Sequence, residues 1–166
     1  MVAVGTVGQT LQSSGMATQA DVTKKLLKML RESDELNDDI RAQLMKLCME
    51  SIEVNQAKVA ALLTKNNIAL DESMERFFSR FYSEYALMNA GSVSKESFVT
   101  NISNAARDHI TETWNRSITR KKLGQWRRVA EPGCCDFCAE LNGITFPAGV
   151  GDFEAHNNCR CYAVPV

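Results

Sequence analysis

The stretch MERFFSRFYSEYALM, residues 74–88, carries Met74, Phe77, Phe78, Phe81, Tyr82, Tyr85 and Met88. These fall at i, i+3, i+4, i+7, i+8, i+11 and i+14, the spacing that lines up side chains on one face of an α-helix. A half-buried strand would alternate instead. The spacing predicts a helix that opens at Asp71 and stops at Gly91, where glycine takes the left-handed conformation without strain. Its face is broad. It reads first as core, and the alternative is a partner-helix surface made by Phe77, Phe78, Phe81, Tyr82 and Tyr85.

The same pattern extends outward. From about Gln19 to Lys122 there is no proline and a single glycine. Val22, Leu26 and Leu30 stand four apart in a first helix over about 19–31. Ser33 or Asp34 is the expected cap of the next, because a short side-chain oxygen accepts from the free N–H groups of a first turn. That second helix carries Leu36, Ile40, Leu44 and Leu47, then Val59 and Leu62, and runs to Lys65. Its phase slips at Glu53–Gln56, where a bend or break would fall. Cys48, among Leu44, Met45 and Leu47, reads as a small core residue.

After Gly91, Ser94 with Lys95-Glu96 starts a fourth helix with Phe98, Val99, Ile102, Ala106, Ile110 and Trp114 inside, closed by Gly124. His109 shares that face and reads as packed or capped. Residues 1–17, rich in Gly, Ser and Thr, show no period and are read as a flexible arm. The chain thus divides into an arm (1–17), a helical body (18–124) and a C-terminal segment (125–166). The expected class is mainly α: a helical bundle or extended helical arm, followed by a small, stapled α+β module.

The last segment obeys other rules. Glycines stand at 133, 143, 149 and 151, and all three prolines at 132, 147 and 165. GITF (143–146) and CYAV (161–164) look like short strands. So small and glycine-rich a unit needs a disulfide or metal staple. It holds five of the six cysteines and one of the two histidines, in CCDFC (134–138) and HNNCRC (156–161). The order Cys135-x2-Cys138, then His156-x2-Cys159-x-Cys161, has the two-residue gaps with which paired thiolates grip one ion. Mixed Cys/His sets are the ligands of structural zinc. Five candidates compete for four places, with Cys134 a less suitable sixth, and His156 and Cys161 are not separated by spacing. The weakly apolar N-terminus lacks the basic start and long apolar run of a signal peptide, so reduced thiols and a metal site are expected rather than disulfides.

Composition adds limits. The 166 residues are 45% hydrophobic and 23% charged, with net charge −1, so no global sign of a polyanion binder exists. No apolar run approaches the roughly 20 residues of a membrane span. Locally, Arg116, Arg120, Lys121, Lys122, Arg127 and Arg128 form a basic run with no acid between Glu112 and Glu131. It could lie along DNA phosphates, or serve as a solvated helix end. Nucleophile elbows, phosphate loops and paired catalytic carboxylates are absent from the sequence. Glu140 and Glu154 are better explained by surface solvation, and no enzyme is expected.

The run WRRVAEPGCCDFCAELNGITF, with HNNCRCYAVPV, resembles the C-terminal signature of the Mu F-like minor head proteins of tailed phages. Trp126, Cys135, Cys138, Leu141, Gly143, His156, Asn158, Cys159, Arg160 and Cys161 match it position by position. Asn157 stands where that family usually has proline. The resemblance covers about 125–166 and leaves the helical body without a motif. It implies a virion component made in the bacterial cytoplasm and incorporated in few copies. Its partners would be the portal, other capsid proteins or packaged double-stranded DNA, and its role head assembly or DNA exit. No membrane and no small-molecule substrate are implied. Family members often continue into protease or toxin modules, and none of that activity is carried over. A zinc-stabilised nucleic-acid-binding module using the basic run is the alternative.

Overall fold

The computed structural model describes residues 3–121, 124–149, 153 and 156–166. Four long helices, α1 (Val4–Glu32), α2 (Asp38–Lys65), α3 (Glu75–Asn89) and α4 (Lys95–Thr119), precede a small C-terminal α+β region. There β1 (Gln125–Val129), the short α5 (Asp136–Glu140), β2 (Thr145–Pro147) and β3 (Tyr162–Pro165) follow in chain order. The sheet is antiparallel with order β2-β1-β3, pairing Trp126 with Phe146 and Arg128 with Ala163. The mainly α expectation holds.

Helix α4 is the centre of the molecule, packed against α1, α2, α3 and β3. Phe98, Val99, Ile102, Ala106, Ile110 and Trp114 are all buried, as their spacing predicts, and the Ser94 side chain accepts from Ser97 N–H as the cap. The sheet is no separate unit. Trp126, Tyr162, Ala163 and Val164 belong to the same apolar core as the helices. Trp114 Nε1 donates to Ala163 O at 2.7 Å, and Asn115 bonds the backbone on both sides, to Cys161 O and from Ala163 N.

The flexible-arm reading of residues 1–17 is corrected, because from Val4 onward they are helix. Val7, Leu11, Ser14, Gly15 and Thr18 are buried in line with Val22, Leu26 and Leu30. The period was there, but small residues carry part of it. A Cβ on Gly15 would meet Arg107 Cγ at 3.0 Å, and one on Gly8 would meet Tyr162 Oη at 2.8 Å. These glycines are notches in a packed helix.

Helix α2 runs unbroken through Glu53–Gln56. Where apolar residues lapse, Ser51 and Gln56 take the inward positions, and Ser51 donates to Asp21 Oδ2 at 2.6 Å while Gln56 donates to Glu72. Its cap is Asn37, whose side chain accepts from Ile40 N, rather than Ser33 or Asp34; Ser33 instead donates back to Met29 O. Helix α3 likewise starts at Glu75 and not at Asp71. Asp71 and Glu72 are occupied as tethers: Arg116 Nε reaches Asp71 Oδ1 at 2.6 Å, and buried His109 Nε2 meets Glu72 Oε2 at 2.8 Å.

On α3, Phe77, Phe81, Tyr85 and Met88 are buried, Phe78 is half-buried and Tyr82 is 49% exposed. Phe81 sits edge-on to Phe98, with ring centroids 5.7 Å apart. Most of the stripe is therefore core, and only Tyr82 with part of Phe78 remains outside. Gly91, at φ 78°, ends the helix as expected. None of the described helices is long and apolar enough to cross a membrane.

The tether at Glu72 predicts an acid dependence. Its hydrogen bond with His109 holds its carboxyl below the ordinary glutamate range, aided by Gln56 and opposed by burial. A depressed carboxylate stabilises the fold above its unfolded pKa, and this is lost as pH falls through the lower folded value. Glu72→Gln should cost roughly 1 kcal/mol at neutral pH, below the usual range for a hydrogen bond to a charged group because one flank meets solvent. The penalty should shrink toward pH 3 in urea titrations. A penalty that did not change with pH would remove the carboxylate from the account.

Candidate metal centre

Two backbone features bring the Cys/His residues together. After β1 the chain turns through Gly133, and Cys135 lies at the start of α5, which places Cys138 on its buried inner side. The following turn is fastened to β1: Gly143 N donates to Arg128 O at 2.7 Å, Arg128 N to Ile144 O, and Ala130 N to Asn142 Oδ1. Gly143, at φ 79°, makes that turn at no steric cost.

The second feature is the turn His156-Asn157-Asn158-Cys159, in which Cys159 N donates to His156 O and Asn158 adopts φ 64°. Asparagine tolerates this left-handed region better than most residues. The helical body pins the turn from outside. Asn158 N donates to Asp108 Oδ2 at 2.8 Å, Asp108 is paired with Arg80 at 2.7 Å, and Arg76 Nη2 donates to Asn157 Oδ1 at 2.7 Å. Asn157, at the position the resemblance gives to proline, thus gains a tether that proline lacks. Asp108, Arg80, Arg76 and Asn115 were missed by sequence reasoning. Each occupies a helical position with no motif, and only the tertiary fold reveals its partner.

The ligand atoms form two overlapping groups, Cys135–Cys138–His156 and Cys138–Cys159–Cys161, each with its atoms within 4.8 Å of one another. Cys138 is common to both. Its sulfur lies 3.6 Å from that of Cys159, and His156 Nε2 is 3.1 Å from Cys135 Sγ. All six cysteines are unbridged, Cys134 belongs to neither group, and Cys48 is remote from the cluster in the buried core. His156 and Cys161 flank Cys138 in different groups, the first exposed and the second buried. These residues are close enough to hold a metal ion.

The electrostatics divide along the same line. The Cys138 backbone N–H and then the His156 ring, both facing Cys135, bring its thiol down to about 7. The Asn157 carbonyl and then the Cys135 sulfur hold His156 above its ordinary value. Burial pushes Cys159 and Cys161 up, and the neighbouring sulfurs add to this. A cation that binds the buried sulfurs must displace their protons, so affinity falls as pH drops.

Beneath the cluster lies Arg128, 2% exposed. Its Nη2 donates to Cys138 Sγ at 3.6 Å and its guanidinium stacks 4.0 Å from the Phe153 ring. Arg128 therefore leaves the surface basic run in which the sequence placed it. Of the other members, Arg116 pairs with Asp71, Arg127 is half-buried on β1, Arg120 is exposed, and burial lowers Lys121. Lys122 lies outside the described residues, as does Glu154. The run does not form one continuous stripe. Comparison with protein-family models, with curated proteins and with solved structures finds no match to this chain.

Proposed function

We propose that this chain is a minor head protein of a tailed phage, in which a helical body carries a C-terminal region stapled by one structural zinc ion. One observation carries the reading. The residues of the signature, separated by seventeen positions between Cys138 and His156, meet in space around a shared sulfur. Soft thiolate and imidazole donors select zinc over the oxygen-seeking cations. A tetrahedral zinc with sulfurs at about 2.3 Å sets neighbouring sulfurs about 3.8 Å apart. The 3.6 Å between Cys138 and Cys159 is close to that edge. Bound there, zinc supplies cross-linking. The chain's own residues do the rest: Asp108 and Arg76 hold the 156–159 turn in register, and Arg128 supports Cys138 from below.

The proposed partners are the portal and neighbouring capsid proteins, with packaged DNA, inside a virion assembled in the bacterial cytoplasm. The alternative, a nucleic-acid-binding module on Arg116–Arg128, has less support because Arg128 is buried and Arg116 is engaged by Asp71. The test is compositional. The purified chain should contain one zinc, co-purify with a portal ring, and occur in filled heads at few copies. Its absence from heads would end the minor-head reading, whatever its metal content.

A further inference from the structure

We propose that the junction of α1, α4 and the Cys159–Cys161 loop is a binding site for a phosphate group, held between Arg107 and Arg160. A recess of about 160 Å³ opens there, lined by Gly8, Gln12, Arg107, Thr111, Arg160 and Tyr162 among others. Its two arginines stand 53 positions apart in sequence (107 and 160), and the fold brings both to the lining of one recess. Like charges repel, so such a pair costs free energy unless an anion joins it.

The recess is built for the close approach of these residues. Gly15 leaves room for the stem of Arg107, since a Cβ there would fall 3.0 Å from Arg107 Cγ. Gly8 leaves room for Tyr162, whose hydroxyl would be 2.8 Å from a Cβ at that position. Gly8 itself lines the recess, and Gly15 stands seven residues further along α1, about two turns on. Arg107 spends one Nη1 donor on Gln19 Oε1 at 2.9 Å, and Arg160 makes no hydrogen bond or ion pair among the described residues. Asp108, the nearest acid in sequence, is taken by Arg80 and Asn158. Burial, and then the charge of Arg160, lowers Arg107, while Asp108 opposes the shift. The open donors form planar forks, the geometry that matches phosphate oxygens two at a time. Thr111 and Tyr162 bring hydroxyls to the lining, the latter also donating to Val4 O at 3.5 Å, and among the described residues Glu131 is the carboxylate that lines the recess.

The site also rests on the zinc reading in one respect. Arg160 lies between Cys159 and Cys161, so the ion that orders the loop also presents this arginine. Inorganic phosphate, titrated calorimetrically into the zinc-loaded full chain, is the probe. Arg160→Gln should weaken binding about tenfold or more, as expected for losing a charge-assisted pair. Arg160 is exposed, so that variant should keep its melting temperature and its zinc. Arg107→Gln should weaken binding similarly, Arg160→Lys less, and Glu131→Gln should tighten it. A short DNA duplex that competes with phosphate, with the same arginine dependence, identifies a backbone phosphodiester as the source; phosphate binding without competition identifies the free ion. Zinc-loaded protein that ignores phosphate, or binds it equally well as Arg160→Gln, overturns the site. So does loss of binding in Glu131→Gln, which would make that carboxylate part of the arginines' own pairing. A chain that binds phosphate yet never holds zinc upholds the site and fails the metal reading alone.

Discussion

Cys138→Ser should leave the chain without metal and unravel the loops between β1 and β3, while the helical circular dichroism survives. Cys138 is the only residue common to both ligand groups, so either choice of four ligands loses a central member. Structural zinc sites contribute about 10–16 kcal/mol of binding free energy to small units, and under the proposed function that energy would order segments with little apolar core of their own. Among the described residues, the buried members of the cluster's apolar set are Cys138, Cys159 and Cys161, with Ala130, Cys134, Cys135 and Phe153 partly buried against them. Strands β1 and β3 should behave differently, because Trp126, Tyr162, Ala163 and Val164 are part of the helical core. Hydrogen exchange should therefore show protection lost at residues 134–144 and retained at 162–164, in the variant and on chelation alike. Cys134→Ser should keep its zinc, being in neither group. His156→Ala and Cys161→Ser divide the remaining question, since only a true ligand costs the metal. A Cys138→Ser protein with one full equivalent of zinc would refute the assignment.

Much of this architecture can be read from spacing. The inward positions of α3 and α4 follow a 3.6-residue period with bulky residues, and Ser94 and Gly91 mark their boundaries by known chemistry. The N-terminal helix escapes such reading because its buried positions include Ser14, Gly15 and Thr18, which count as loop formers when taken alone. Tertiary packing decides there: a helix that lets Arg107 and Tyr162 approach its backbone needs small residues at the contacts. Strand β1 is hidden for a different reason. Its inward pair is Trp126 and Arg128, and the buried arginine reads from sequence as one more surface charge. The cysteine cluster is legible because metal-ligand spacing is a local property. Its supports, Asp108, Asn115 and Arg128, are not, because each acts across forty to fifty residues or through a neighbouring element.

The second large effect is at Phe81. Its ring is fully buried between Phe77, Tyr85 and Phe98, so Phe81→Asp places a carboxylate in an apolar interior with no cation to meet it among the aromatic neighbours. Truncating a buried phenylalanine alone costs about 3–5 kcal/mol, and burying a charge adds several more. Against a total stability of about 5–15 kcal/mol, the chain should be unfolded or nearly so at 25 °C. Tyr82, one residue on, is half exposed, with Arg41 5.7 Å from its ring centroid. Tyr82→Asp should leave the melting temperature within a few degrees of wild type. The pair separates folding from partner binding along one helix. If Tyr82→Asp melts normally but fails to enter heads, the outer flank of α3 is the docking surface and the inner stripe only supports it. If Phe81→Asp remains folded, the aromatic stripe is not the core that its burial indicates, and the assignment of inward and outward faces on α3 would be wrong.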